Sequence, residues 1–582
     1  AHPLYTLIDK KRTSDYINTF IKQFEQGGRL PVWELASNET DCMIGYHSVS
    51  VIADAMVKGI KGFDYEKAYE AAKYSAMLDH LGLDAYKKQG YISIDDEHES
   101  VSKTLEYAYD DWCIAQMAQL LGKKEDYNYF MLRSQNWKNL FNWETGFIQP
   151  KKNGGWDKPF DPKEVNNNYT EANGWQYTFF VPQDISGMIE AMGGTDKFEA
   201  KLDEMFNIVS KTSGRHQVDI TGLIGQYAHG NEPSHHVAYL YNFVNKPEKT
   251  KEKVYFILDN FYKNDPDGLI GNEDCGQMSA WYVLSSMGIY NVTPGQPFWT
   301  TSTLYFEKIK VNFEDGSSKI IDKSTNDQVF GLNLNEIQRK DNIVSNLSIV
   351  PIIQAESKAF LDKTVITFVS QNKEVEYFYS LNGSDFKMAD NNILNLDRTT
   401  EVRLYTKDSK GEKSNTISAT FFKKPNNFTI DIKSTYNPQY HAGGPEGLID
   451  GIFGTENWRK GDWQGYQSQD FEAVIDMQSS REISQITANF LQDTRSWILM
   501  PTKVEYYISD DNVNFTLFDT QNNTIDPKDY TSIIKGFESR KSNVKARYVK
   551  VKASNFGKLP EWHQGFPFNG EAFIFIDEIT IK

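Results

Sequence analysis

Apolar residues recur at spacings of three and four along 13–24, 48–58, 65–81, 105–121 and 252–262, a period that predicts amphipathic helices. Long polar stretches rich in Trp, Gly, Asn and Pro separate them, 149–177 among them. Connections of that length are uncommon in compact domains unless they carry function. Helices alternating with long aromatic loops predict an (α/α) toroid, whose inner helices and loops surround one central pocket. The alternative is a helical bundle in which the loops only connect. Past Thr293-Pro294-Gly295 the period shortens. The segments 309–313, 365–368, 376–380, 401–405 and 417–422 alternate and are rich in β-branched residues, which predicts strands. Lys423-Lys424-Pro425-Asn426-Asn427 has a linker's composition. Beyond Phe428, the segments 472–476, 485–490, 503–509, 548–552 and 573–581 predict a further β-sandwich. No repeat of fixed period runs through the chain.

At 582 residues the chain exceeds a single core, since domains usually hold about 100–200 residues. With 39% hydrophobic and 24% charged residues it can bury sizeable cores and is not disordered by composition. Sixty-two basic against 79 acidic side chains give a net charge of −17, which argues against nucleic acid or an anionic membrane surface as the main partner. Cys42, Cys113 and Cys275 form no CxxC pair, so neither a thiolate zinc site nor a disulfide framework is encoded. Such scarcity fits a cytosolic protein or a bacterial exported one. No apolar run approaches the ~18–20 residues of a membrane span. The opening Ala1-His2-Pro3-Leu4 lacks Met and a signal-type apolar segment, so a processed chain or a piece of a longer one is expected.

Three clusters in the helical half could carry chemistry. They are 168–177 (NYTEANGWQY), 229–236 (HGNEPSHH) and 267–282 (DGLIGNEDCGQMSAWY). Each puts a carboxylate among amides, glycines and aromatics. Hydrolysis of a glycosidic bond needs two carboxyl groups, one protonated as acid and one ionised as base or nucleophile. Aromatic rings stack on the apolar faces of a sugar, amides bind its hydroxyls, and oxygen ligands suit a hard cation such as Ca²⁺. Singly, each cluster reads equally as a helix cap or turn; together they predict one polar, aromatic-lined site. His235-His236 beside Glu232 lacks the HExxH spacing of a zinc site, so structural or hydroxyl-binding histidines are expected. No GxGxxG, GxxxxGK[ST] or GxSxG element appears, which leaves nucleotide binding and serine-hydrolase chemistry without support.

Five motifs in order, Gly27-Gly28-Arg29-Leu30-Pro31-Val32-Trp33-Glu34, Met43-Ile44-Gly45-Tyr46-His47, Tyr169-Thr170-Glu171-Ala172-Asn173-Gly174-Trp175, Gly230-Asn231-Glu232-Pro233-Ser234-His235-His236 and the 271–282 segment, closely resemble glycoside hydrolase family 92 over roughly 1–340. The resemblance implies calcium-dependent, inverting exo-α-mannosidase activity and an (α/α)6 barrel. Family members carry an N-terminal β-sandwich domain and the first barrel helices ahead of this point, so the barrel is expected to be incomplete at its N-terminus. A Trp-Asp-Thr-Phe-Arg-like segment that helps hold the sugar should precede His2-Pro3-Leu4, and the missing N-terminal domain is an expected partner.

By the same resemblance Glu171 matches the general acid and Asp274 the general base. Burial beside Trp175, Tyr169 and Tyr177 would raise the Glu171 pKa. The family's base region can hold two acids spaced by two; the first position here is Asn272, so Asp274 acts alone. Asn231, Glu232, Trp175, Trp33, His47 and Asn272 are the expected substrate contacts. Asn173, Glu232 and Glu273 are the candidate calcium ligands. Members preferring α-1,2 linkages tend to carry His before the glutamate; Asn231 stands there, which disfavours that linkage. The plain alternative for Asp274 is a helix cap.

The segment Tyr377-Phe378-Tyr379-Ser380-Leu381-Asn382-Gly383-Ser384-Asp385 is similar to the small β-sandwich appended to chitobiases. The last 155 residues or so resemble a discoidin domain, the coagulation-factor type C fold also used as a family 32 carbohydrate-binding module, on Leu448-Ile449-Asp450-Gly451, Trp463-Gln464-Gly465-Tyr466, Arg495-Ser496-Trp497 and Asp577-Glu578-Ile579 among others. That resemblance implies a jelly roll with a structural calcium, for which Asp450 and Glu578 are the candidate ligands. Trp458, Trp463 and Trp497 are sugar platforms or core.

The expected organisation is multidomain α plus β: a barrel over 1–295, its β extension over 296–344, a spacer sandwich over 345–424 and a discoidin-like carbohydrate-binding domain over 428–582. The expected function is mannose release from N-glycans or mannans by an exported bacterial enzyme. The rivals are a non-catalytic glycan-binding fragment and another (α/α)-barrel enzyme such as a lyase, whose chemistry usually needs basic residues to neutralise a uronic acid carboxylate, whereas the three clusters contain no Lys or Arg.

Overall fold

The computed structural model describes residues 1–324 and 347–582. The last part of the expected 296–344 extension and the first two residues of the spacer lie outside the described residues. The first half is helical and the second is built of sheets.

Local chemistry sets the helix ends. Helix Lys10–Gly27 starts where Asp9 accepts the Arg12 N–H at 3.0 Å and stops at Gly28, whose φ of +82° is left-handed. Its Ile17 and Ile21 face inward. The helix expected over 65–81 ends at Met77, because Leu78 turns extended and Leu81 and Gly82 both adopt left-handed backbone. Helix Ser100–Leu120 begins ahead of its expected start at 105 and buries 18 of its 21 residues, so its polar side chains are inside too. Asp111 there is compensated by Arg133 (2.8 Å) and by the hydroxyls of Tyr86 (2.9 Å) and Tyr46 (3.1 Å). Glu106 and Asp110 of the same helix serve the site described below.

The long 149–177 stretch is not bare loop. Lys151–Lys152 pairs with Gly155–Trp156, Glu164–Val165 pairs in parallel with Ser213–Gly214, and the stretch ends in helix Gly174–Thr178. One apolar core surrounds Ile52, Tyr86 and Trp112. A second surrounds Trp137, Trp175, Tyr239 and Trp281 and continues into Ile353, Ile366, Val402 and Phe421 of the next unit. Gly154 and Gly155 permit that continuity: Ile353 N–H donates to Gly154 O at 2.9 Å, and a Cβ on Gly155 would lie 2.9 Å from Ile353 O.

Lys308–Asn312 and Ser318–Asp322 form a hairpin. After residue 347 come a three-stranded sheet, in the order Ile352–Gln354, Thr364–Val369, Ile393–Leu396, and a five-stranded one with Thr400–Asp408 at its centre. The last unit has a five-stranded sheet ordered Thr429–Ile432, Phe471–Ile483, Val544–Ser554, Lys503–Ser509, Thr516–Asn522. Its four-stranded partner is ordered Gln464–Gln467, Phe573–Ile581, Ile486–Gln492, Ile533–Glu538. Alternate residues of both sheets, such as Ile475, Val549, Phe490 and Ile576, close a separate core. Lys152 Nζ reaches Gly461 O (3.1 Å) and Asp462 (3.2 Å), and Gln439 Nε2 reaches Val165 O (2.6 Å), so this unit is braced against the helical half. Among the described residues no helix is long and apolar enough to cross a membrane.

Candidate active site

Three loops converge at the start of the buried helix Ser100–Leu120. The first is pinned to it directly. Glu99 N–H donates to Asn167 O (2.6 Å), Val101 N–H to Asn168 O (3.1 Å), and Thr170 N–H to Ser102 Oγ (2.9 Å). Glu171 follows with a left-handed φ of +49°. Asn231 joins this loop to the second, since its Nδ2 donates to Glu171 O (3.0 Å) while its Oδ1 accepts the Glu232 N–H (3.1 Å). The second and third loops touch through glycine backbone. A Cβ on Gly230 would overlap Thr221 Oγ1, and one on Gly271 would sit 3.1 Å from Gly230 Cα. Asp274, with φ +51°, then leads into helix Gln277–Ser286, which Trp281 ties to the second loop by donating to His235 O (3.0 Å). Left-handed backbone at a residue other than glycine costs about 1–3 kcal/mol and clusters at functional sites; Glu99, Glu171 and Asp274 all have it.

The acids feel one another. Burial pushes the Glu171 carboxyl up to about 7, with further contributions from Asp219, Glu99 and Asp274 that Arg215 opposes. Glu232 is open to solvent on one side but otherwise hemmed in. Its carboxyl is also pushed to about 7, by desolvation first and then by Asp274, Glu171 and Glu106. Asp274 is exposed; desolvation and Asp219 raise its pKa, while a hydrogen bond with Glu232 opposes them. Glu232 and Asp274 thus each influence the other's titration. The Ala1 nitrogen, donating to Gln277 Oε1, lies beside Glu232 and Glu273.

The other expected site residues fall into two groups. His47 is partly exposed and paired with Asp110 (2.9 Å) and Glu106, two acids of the buried helix; these outweigh burial and hold its pKa well above the usual histidine value. Asn272 is exposed and donates to Asp219 Oδ1 (3.1 Å), which places both beside the acids. Trp33, 42% exposed, opens the hairpin of Glu34–Leu35 and Asn38–Glu39. Trp175 is not a substrate contact. It is 1% exposed, edge-on to Phe147 at 4.7 Å, with Lys201 Nζ 4.3 Å over its ring. His235 and His236 are structural: each bonds a backbone carbonyl, at 2.9 and 2.8 Å, and burial holds both near 4.

The expected calcium set does not assemble at this centre. Asn173 is buried as the cap of helix Gly174–Thr178. Its Oδ1 accepts from Trp175 (3.1 Å) and Gln176 (3.3 Å), and its Nδ2 donates to Gln226 (2.9 Å). Glu273 turns both carboxylate oxygens to Ser279, at 3.0 Å each, leaving Glu232 of the three. Among the described residues no group of three or more His, Cys, Asp or Glu side chains is arranged to hold a metal. In the last unit Asp450 and Glu578 do come together. Glu578 accepts the Gly451 N–H (3.1 Å), and desolvation, with Asp450 and the buried Asp577 adding to it, pushes its carboxyl up to about 9. Trp463 there is core at 1% exposed, and Trp458, 8% exposed, bonds Asp493 through Nε1 (3.1 Å).

Residue order hid five participants. Glu99, Glu106 and Asp110 come from the buried helix and its cap, and Asp219 and Arg215 from a loop between the clusters. The available signal was the pair Glu106 and Asp110, four apart on a helix otherwise rich in Ala, Leu and aromatics.

Comparison with known proteins places this arrangement. The family model for the F5/8 type C domain matches residues 431–569. The structure is similar to the family GH92 α-mannosidase BT3965 from Bacteroides thetaiotaomicron, with 43% identity, 55% of this chain and 43% of that chain covered, and a TM-score of 0.53. It is also similar to the GH92 inverting mannosidase BT2199 from the same organism, at 35% identity, 55% and 46% coverage and a TM-score of 0.50. An uncharacterized secreted glycosidase of Arthroderma benhamiae is 28% identical over 340 residues, 51% of this chain and 42% of that protein. The chain thus spans less than half the length of each of these relatives. The model for the glycosyl hydrolase family 92 catalytic domain matches residues 1–351, more than half of the chain and the whole of the acid cluster, and the chain belongs to that family.

Proposed function

We propose that the chain is the catalytic and accessory part of an exported bacterial exo-α-mannosidase that inverts configuration and acts on N-glycans or mannans. Glu171 gives its proton to the glycosidic oxygen. Asp274 takes a proton from a water, whose oxygen attacks the anomeric carbon from the opposite face as the bond to the leaving sugar breaks. Inverting enzymes hold the two carboxyls ~6.5–9.5 Å apart to admit that water. The observation that carries the reading is the contrast between the acids. Glu171 is pushed to about 7, so it holds a proton near neutral pH, while Asp274 is exposed at the mouth. Calcium dependence, which the family resemblance implies, belongs to the same proposal, but Asn173, Glu232 and Glu273 do not form a set, so no step is derived through the ion. In the last unit Asp450 and Glu578 are the proposed structural calcium ligands, supported by the two carboxyls lying beside one another away from solvent.

The (α/α)6 barrel, incomplete at its N-terminus, and the discoidin-type jelly roll belong to the same proposal, as does an N-terminal β-sandwich domain that completes the site. The test is to follow an α-mannoside by proton NMR with the chain alone and with such a domain added. Early release of β-mannose is expected. Retention of the α-anomer, or glycan binding without release under both conditions, would refute the reading.

A further inference from the structure

Beside the acid cluster lies a cavity of about 300 Å³ that the scheme above does not use. Glu99, Lys103, Asn167 and Arg215 of the helical half line it, and so does Arg459 of the last unit. Its place is fixed by neighbours already described. Asn167 lies four residues ahead of Glu171 in the same loop and accepts the Glu99 N–H at 2.6 Å, and Glu99 and Arg215 both act on the Glu171 carboxyl. A general acid stands next to the glycosidic oxygen, on the side from which the leaving sugar departs. A cavity adjoining Glu171 is therefore in position to receive that sugar.

The charge within it is unusual for a chain of net −17. Lys103 is partnered by Glu97 (3.6 Å) and Glu99 (3.8 Å), and the lining Asp41 by Arg29. Arg215 and Arg459 have no carboxylate within 4.0 Å among the described residues. Arg215 Nε is buried with no hydrogen-bond partner. Arg459 is stacked on Trp458, its guanidinium carbon 4.2 Å from the ring centre, which fixes the plane of the fork. The turn carrying it is held against the helical half by Lys152, through Gly461 and Asp462. Two guanidiniums, one from each domain, thus line the same cavity, and such groups bind oxyanions through charge-assisted, bidentate bonds.

We propose that this cavity is the leaving-group subsite and that Arg215 and Arg459 together grip an oxyanion carried by the sugar next to the scissile bond. The C-terminal unit is then a specificity element of the catalytic site as well as an appended domain. The proposal rests on the mannosidase reading for its geometry, but its test needs no turnover.

The test is calorimetric titration of the whole chain with α-mannobiose and with its counterparts bearing a phosphate, a sulfate or a carboxylate on the reducing sugar. At least one anionic disaccharide is expected to bind about tenfold tighter than the neutral one, the scale of one charge-assisted hydrogen bond. Which one wins identifies the oxyanion. Arg459→Gln and Arg215→Gln are each expected to reduce that preference to about twofold or less, with melting temperatures within about 2 °C of the parent. Equal binding of all four sugars, no binding of any, or a preference that survives Arg459→Gln would overturn the proposal. An anionic preference with no mannose release even when the N-terminal domain is added would refute the catalytic reading alone. Mannose release without any preference would refute the subsite alone.

Discussion

Glu171 shows how a single side chain can be poised by its surroundings. Burial and three neighbouring acids hold its proton on to about pH 7, where a free glutamate would have lost it near 4.5. The acid form is the active one, so kcat/KM is expected to fall as pH rises through about 7, and a pH–rate profile checks this. An alkaline limb displaced above about pH 9 would contradict it. Glu232 gives a stability prediction with a definite sign. Its folded-state pKa of about 7 exceeds its unfolded value, so the folded chain holds a proton the unfolded chain releases. The stabilisation is complete below about pH 4.5 and is lost as pH rises through 7. Glu232→Gln should therefore raise the melting temperature at pH 8 by about 2 °C, kept small by solvent screening of an exposed group, and change it little at pH 5. Calorimetry at the two pH values decides it; an increase of equal size at both would mean a packing effect.

The elements deliver these residues by different means, which decides how far each was legible in the sequence. Strands such as Lys503–Ser509 follow from alternation, because one face is core and a one-residue slip would expose it. The end of helix Tyr65–Met77 was hidden, since Leu78 and Leu81 continue the apolar spacing while the backbone leaves the helix. The three acid-bearing loops stood out because Glu and Asp among Gly and Asn form a local signature. Asp219 and Glu99 gave none, since their role comes from contacts far apart in the chain. Trp175 and Asn173 misled for the same reason: ring and amide types say nothing of which way a side chain turns. The loops themselves depend on Gly230. Gly230→Ala would drive a methyl into Thr221 and shift Asn231, which holds Glu171. Activity should drop about a hundredfold, as for an ångström-scale misplacement, with helix content unchanged by circular dichroism. Activity within about twofold of the parent would mean the loops are not coupled this way.

At the scale of the molecule, the helical half and the sheet unit after residue 347 share one apolar core, whereas the last unit has its own core and leans on the helical half through Lys152 and Gln439. Two such cores should melt as separate transitions. If Asp450 and Glu578 hold calcium, a chelator should lower the transition of the last unit and leave the other in place, by mass action on the folded form. Asp450→Asn should abolish that response. A scan identical with and without chelator would show that the buried carboxylates are simply protonated.

Two carboxyls divide the labour of the proposed reaction, and leaving-group dependence measures that division most directly. α-Mannosyl fluoride needs no proton donor to expel its leaving group, whereas methyl α-mannoside does. Glu171→Gln should retain turnover of the fluoride within about tenfold while losing about a thousandfold on the methyl glycoside, and Asp274→Asn should lose both. Equal losses on both substrates in Glu171→Gln, or a fully active Asp274→Asn, would contradict it.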